Sequence, residues 1–175
     1  LPFDPERDFT PLTMVSTSSA LLVAHPSLPV KDVRELIALA KRNPGRLNFA
    51  IGALGSSVHL AGDAFKMMSG TYIVNIPYKG TAPAIADVIA GQVEMMFANI
   101  GNAQAHIKAG KLKALAVTSA RRISALPDVP TMTELGYPQL TQYPWIALWS
   151  TPGTPAAAQA RMRAEVLKVL ATPQV

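Results

Sequence analysis

His59 stands three residues after Ser56 and two after Ser57, and Asp63 follows four residues later. These are the residue types of a Ser–His–Asp relay, in which a carboxylate orients an imidazole that takes the serine proton. Residues four apart share a helical face, so His59 and Asp63 can meet. Neighbours on one helix seldom reach triad geometry, however, and the Gly-x-Ser-x-Gly turn that exposes a nucleophilic serine is absent. No catalytic residue is assigned, and an enzyme is not expected.

The same stretch suits anion binding better. Gly52-Ala53-Leu54-Gly55-Ser56-Ser57 lies between an apolar strand pattern and a helical pattern. Its glycines release the backbone from steric limits, and Ser56 or Ser57 is a natural N-cap. The helix start then offers unpaired N–H groups and partial positive charge to a carboxylate. His59 is read as ordering this loop in preference to touching the ligand, and is kept among the candidate ligand-binding residues.

Two further loops repeat the arrangement. In Tyr78-Lys79-Gly80-Thr81, Thr81 can cap a helix and offer its hydroxyl to a ligand, whereas Lys79 reads as a surface cation. Asn99 and Asn102 flank the third loop and can donate, accept or cap. Metal is not expected, because His25, His59 and His106 are widely separated. The chain has no cysteine, which removes disulfides, thiolate metal sites and cysteine nucleophiles. Gly52-x-x-Gly55-Ser56-Ser57 is neither a P-loop nor a dinucleotide fingerprint, so no nucleotide cofactor is expected. Met67, Met68, Met95 and Met96 read as core fillers.

The elements that would position these loops alternate. Strand patterns cover Ala20–Ala24, Leu47–Ile51, Tyr72–Pro77, Val93–Ala98 and Leu112–Thr118. Between them fall helical patterns: one capped at Asp32 and stopped at Asn43-Pro44-Gly45, one to Ser69 with Leu60, Ala64, Met67 and Met68 on its apolar side, and others ending at Gly91 and Gly110. Such alternation predicts an α/β domain with a largely parallel sheet, whose ligands bind beyond the carboxyl ends of the strands. Thr131 to Glu134 forms a capping box for a short helix ended by Gly136. Ile146–Trp149 reads as a strand. A last helix follows with Thr154 as N-cap, Pro155 at its first position and Met162, Val166, Val169 and Leu170 on its apolar face.

Composition agrees with a folded domain: 49% of the residues are hydrophobic and only 15% charged. The net charge of +5 is scattered, without an aromatic–basic stripe, so nucleic acid is not expected and anionic small molecules are. The chain begins at Leu1 and lacks the order of a signal peptide, which reads as a segment of a longer parent.

The wording and order of the segments resemble the Bug family, the extracytoplasmic solute-binding proteins of tripartite tricarboxylate transporters. The resemblance runs along almost the whole chain. It includes Phe3-Asp4-Pro5 with Asp8-Phe9-Thr10-Pro11, Leu36-Ile37-Ala38-Leu39-Ala40-Lys41 with Asn43-Pro44-Gly45, and Gly55-Ser56-Ser57-Val58-His59-Leu60-Ala61-Gly62. Pro77-Tyr78-Lys79-Gly80, Gly91-Gln92-Val93, His106 to Leu112, Ala114 to Ser119, and Leu126 to Thr131 continue it.

The resemblance implies a type II periplasmic-binding-protein fold, here mainly the second lobe with part of the first. Residues 1–15 would be the hinge or first-lobe connection, 16–145 the second α/β lobe, and 146–175 the return strand and helix of the first lobe. It implies a periplasmic protein, with a signal peptide in the parent, that binds a small carboxylate or related organic anion and serves membrane transporter subunits. Carried over by position, the site comprises Ala53, Leu54, Gly55, Ser56 and Ser57, then Gly80 and Thr81, then Ala98 and Asn99. The family usually has Asp where Ala98 stands, and its absence favours plain mono- or dicarboxylates over amino acids. The opposite wall of the cleft would come from a first-lobe segment preceding Leu1. The C-terminal helix, lacking that neighbour, is expected to fold back or to mediate self-association. The alternative reading is the effector-binding domain of a transcription regulator with the same bilobal architecture.

Overall fold

The computed structural model describes residues 2–172, in two units. The larger is Ser18–Pro144; the other joins the chain's two ends, up to Thr17 and from Trp145. In the larger unit the elements are β2 (Ala20–Ala24), α1 (Val33–Arg42), β3 (Asn48–Ile51), α2 (Ser57–Ser69), β4 (Val74–Pro77), α3 (Thr81–Ile89), β5 (Met95–Asn99), α4 (Ile100–Lys108) and β6 (Lys113–Val117). The smaller has β1 (Thr10–Thr17), β7 (Trp145–Ser150) and α5 (Ala156–Leu170).

Local chemistry accounts for the helix ends. The Asp32 carboxylate accepts the Glu35 N–H at 2.8 Å, and Glu35 reaches back to the Lys31 N–H at 2.7 Å, so two helix-start donors of α1 are satisfied. Gly70, at φ +61°, closes α2 in the left-handed conformation that glycine adopts without strain. The capping box at Thr131 also forms, with Glu134 N–H to Thr131 Oγ1 at 3.0 Å and Thr131 N–H to Glu134 Oε2 at 2.7 Å. It supports only a turn, not the expected helix, because Gly136 leaves the helical region at φ +90° within one turn.

The five-stranded sheet has the order β4-β3-β5-β2-β6. β3 pairs in parallel with β4 and β5, whereas β2 is antiparallel to both β5 and β6. The expected largely parallel sheet is therefore mixed. β2 enters with Ala20 opposite Asn99, the last residue of β5, and a strand starting at that edge must run back against its neighbours.

Alternate residues of each strand face opposite layers. On one face Leu22, Phe49 and Phe97 pack with Leu36 of α1 and Phe65 of α2. On the other, Leu21, Met96 and Ala98 pack with Ala84, Ile85 and Val88 of α3 and with Ala103 of α4. The inward stripe of α2 is Ala61, Gly62, Phe65 and Ser69, with Val58, Ala64 and Met68 partly buried against the same core. Leu60 and Met67 instead face solvent, contrary to the sequence reading. Phe65 sets the face: its ring meets Phe49 and Phe97 edge-on, each at 6.2 Å.

In the smaller unit β1 and β7 form an antiparallel ribbon. Pro155, not Thr154, occupies the N-cap position of α5; the Thr154 hydroxyl pairs with that of Thr151 at 3.1 Å. Met162 and Val166 of α5 line a recess with Leu12, Leu148 and Trp149. No described residue of α5 is fully buried. Among the described residues no helix is long and apolar enough to cross a membrane.

Phe65→Ala is expected to lower unfolding stability by about 3–5 kcal/mol, the range for emptying a buried aromatic site. Denaturant titration should show a lower midpoint at unchanged slope.

Candidate functional site

Because β3, β4 and β5 point the same way, the loops that follow them emerge along one edge of the sheet, where α2, α3 and α4 begin. In the first loop Ser56 is the N-cap: its Oγ accepts the His59 N–H at 3.3 Å and donates to the Ala53 carbonyl at 2.8 Å. Gly55 lies at φ +77°, a conformation that a side chain would strain. Ser57 is the first helical residue and is exposed, and its hydroxyl has no protein partner among the described residues. The N–H groups of Ser57 and Val58 lie ahead of the first intrahelical bond, as at any helix start.

Gly80 is the N-cap of α3 at φ +131°, and no side chain caps this helix. Thr81 therefore does not cap, contrary to expectation; it is the first helical residue, and its hydroxyl has no protein partner among the described residues. Thr81 also lies against the first loop. A Cβ on Gly52 would sit 2.8 Å from Thr81 Cα and 2.9 Å from its N, so only glycine lets the two loops touch. The Tyr78 N–H, at 2.8 Å from the Ile51 carbonyl, makes a second tie between them. Tyr78 Oη donates to Asp87 Oδ2 at 2.8 Å. Burial, reinforced by the adjacent Asp87 carboxylate, pushes the Tyr78 phenol up to about 12. Lys79 is exposed, as read from sequence.

Asn99 is the N-cap of α4 yet makes no capping bond, and its Oδ1 is buried without a hydrogen-bond partner among the described residues. Orphaned buried acceptors are uncommon because each carries a desolvation cost. Ala98 is only 1% exposed and belongs to the core shared with α3 and α4, so its side chain is spent on packing. Asn102 is exposed one turn along α4.

His59 uses both ring nitrogens inside the chain. Nδ1 accepts the Gly55 N–H at 3.0 Å, and Nε2 lies 3.1 Å from Asp63 Oδ2. A backbone N–H can only donate, so the neutral ring carries its proton on Nε2 and presents it to Asp63. Neither serine hydroxyl bonds the ring, and the Ser–His–Asp relay does not form. The other Asp63 oxygen accepts Lys66 Nζ at 2.7 Å and the Asn75 amide at 2.9 Å, and Asn75 Oδ1 accepts Lys66 Nζ at 2.7 Å. The Lys66 and Asn75 hydrogen bonds hold the Asp63 carboxyl below the usual carboxylate range. Sequence spacing contained the signal for Lys66, three residues after Asp63 on the same helical face. It held none for Asn75, which arrives from β4.

The edge thus gathers two unpartnered hydroxyls, a carboxamide and the starts of three helices. No serine hydroxyl joins the His59–Asp63 pair among the described residues, which also hold no cluster of three metal-ligating side chains. Such an arrangement can neutralise and orient an anion without reacting with it.

The structure of the periplasmic binding protein BugD superposes at a TM-score of 0.92 with 33% identity, covering 98% of this chain and 57% of that one. MatC from Rhodopseudomonas palustris, with bound malate, superposes at 0.94 with 30% identity, covering 99% and 59%. The fold is accordingly the α/β type II periplasmic-binding-protein fold, of which the chain spans a little over half. Among curated proteins, BugT of Bordetella pertussis is 40% identical over 154 residues, which are 88% of this chain and 47% of BugT. The chain spans about half the length of the curated relatives it matches first. The family model for the tripartite tricarboxylate transporter family receptor matches residues 1–175, and the chain belongs to that family, one of receptors and not of enzymes.

Two outcomes follow from this geometry. Gly52→Ala should separate the first and second loops and destabilise the fold by about 1–3 kcal/mol, the usual cost of overpacking, as measured by denaturant unfolding. Asp63 has a folded-state value below 3.8, so its contribution is fully present above that value and is lost as pH falls through the lower folded one. Thermal unfolding followed from about pH 5 to about pH 2.5 should show this loss, and Asp63→Asn should remove it.

Proposed function

We propose that the full-length protein is the extracytoplasmic solute-binding component of a tripartite tricarboxylate transporter and binds a small carboxylate without transforming it. The observation that carries this reading is the set of unpartnered donors on one edge: the Ser57 and Thr81 hydroxyls and the adjoining helix-start N–H groups. A carboxylate held there replaces its water shell with fixed dipoles, and no lysine or arginine clamp is required. The malate bound to MatC, which shares the fold over 99% of this chain, supports a dicarboxylate as the ligand class.

In this reading Ala53, Leu54, Gly55, Ser56 and Ser57 form one wall, Gly80 and Thr81 the next, and Asn99 the third. Ala98 contributes through the backbone at most, since its side chain is buried. Residues Ser18–Pro144 serve as one lobe of a clamp. The other wall belongs to the part of the relatives' length that this chain does not span. Membership of that family supports a protein that works outside the cytoplasm and hands its ligand to the transporter's membrane subunits.

Calorimetry of the full-length protein against C4 to C6 dicarboxylates tests the proposal. Ser57→Ala and Thr81→Ala should each weaken binding about three- to tenfold, the worth of one net hydrogen bond. Absence of binding to every carboxylate, or unchanged affinity in both variants, would sink the reading.

A further inference from the structure

We propose that His59 is a positioning residue that makes ligand affinity depend on pH, an inference that rests on the carboxylate-binding reading of the Gly52–Ser56 loop. Its neutral ring ties that loop to α2 through the Gly55 N–H. Protonation of Nδ1 replaces the acceptor with a donor and breaks the tie.

The loop is held at its ends, by the Gly52–Thr81 contact and by the His59 N–H on Ser56 Oγ, but its middle is open. Ala53, Leu54 and Gly55 are exposed, and nothing lies within 4 Å of the position a Gly55 Cβ would take. Inside the loop, the Ser56 N–H and hydroxyl both reach the Ala53 carbonyl, at 3.3 and 2.8 Å. The link from Gly55 to His59 Nδ1, at 3.0 Å, joins the loop's left-handed residue to the helix. On the far side of the ring, Nε2 faces Asp63 Oδ2 at 3.1 Å and the Asn75 amide nitrogen at 3.3 Å; that amide donates to Asp63 Oδ1, which Lys66 also holds. The imidazole is therefore oriented from behind, with Nδ1 aimed at the loop.

Among the described residues the ring meets two charged side chains and otherwise neutral ones. Asp63 and Lys66 are the charged side chains beside it, both on its own helix. β4 contributes the neutral Asn75, and β3 and β5 contribute Phe49 and Phe97. Histidine is the side chain whose charge ordinarily changes between about pH 5 and 8. A protonated ring keeps its Nε2–H on Asp63, so the carboxylate tolerates the cation while Nδ1–H and the Gly55 N–H oppose one another. The loop then pays an ordering cost before it can hold an anion, and affinity falls with acidity.

Variants separate positioning from simple scaffolding. The Oδ1 of asparagine takes the place of His Nδ1, whereas the glutamine side chain reaches toward the Nε2 position. At about pH 7.5, His59→Ala and His59→Gln should each weaken malate binding about three- to tenfold, and His59→Asn should recover the affinity. Between about pH 7.5 and about pH 5.5 the unaltered protein should lose affinity more steeply than His59→Asn, which shares any change arising from the ligand's own protonation. In the ligand-free protein the Gly55 amide resonance should move over the same pH range, and should stay fixed in His59→Asn.

Equal affinities of His59→Asn and His59→Gln, parallel pH profiles in His59→Asn and the unaltered protein, or an unresponsive Gly55 amide would each overturn the inference. Should His59→Ala fail to fold, the Asn and Gln variants still decide it. If the unaltered protein binds no carboxylate at all, the binding reading fails, and the Gly55 amide alone then reports on the tie.

Discussion

Strand β2 is the constraint on which the larger unit depends. All five of its residues are fully buried, and it pairs on both sides, with β5 and with β6. Its first residue also closes the loop edge. The Ala20 N–H donates to Thr118 Oγ1 at 3.1 Å, and its carbonyl accepts the Thr118 N–H at 2.9 Å. One residue earlier, the Ser19 carbonyl accepts the Ile100 N–H at 3.0 Å, which is the start of α4. A strand buried on both faces and both edges leaves no backbone group free to drift, so the loops beside it inherit a fixed base.

From that base the edge is assembled by contacts that need specific residue types. Gly52 admits the Thr81 backbone, and the Tyr78 N–H reaches the Ile51 carbonyl, locking the first loop to the second. Behind the first loop stands a polar brace running from the Gly55 N–H through His59 and Asp63 to Lys66 and Asn75. Its members satisfy one another, whereas the hydroxyls of Ser57 and Thr81 have no protein partner among the described residues. Stiffness and unpaired donors are thereby separated onto different residues. Preorganised dipoles of this kind bind an anion without first having to be ordered.

Much of the fold was legible in the sequence. The strand at Ala20–Ala24, the Asp32 cap and the helix ending at Ser69 depend on short-range patterns, which the chain carries locally. A serine cap at Ser56 or Ser57 is legible because such a hydroxyl serves N–H groups only about three residues away, and the structure selects Ser56. The loops themselves were found from glycines, whose backbone freedom is likewise a local property. Strand direction was not legible, because a fully buried apolar run reads alike in parallel and antiparallel pairing. The inward face of α2 was misread for a related reason. Leu60 and Met67 are as apolar as the residues that are buried, and only the rings of Phe49 and Phe97 decide that Phe65 points in.

The sequence by itself determined most helices and strands of the larger unit and the glycine loops between them, since caps, glycines and periodicity act within a few residues; it did not reveal β1, and the helix it predicted after Thr131 is only a turn. Tertiary structure alone decided what those loops are tied to. Asn75 meets Asp63, Gly52 meets Thr81, and Asn99 Oδ1 is buried without a partner among the described residues, only after the strands have been set side by side.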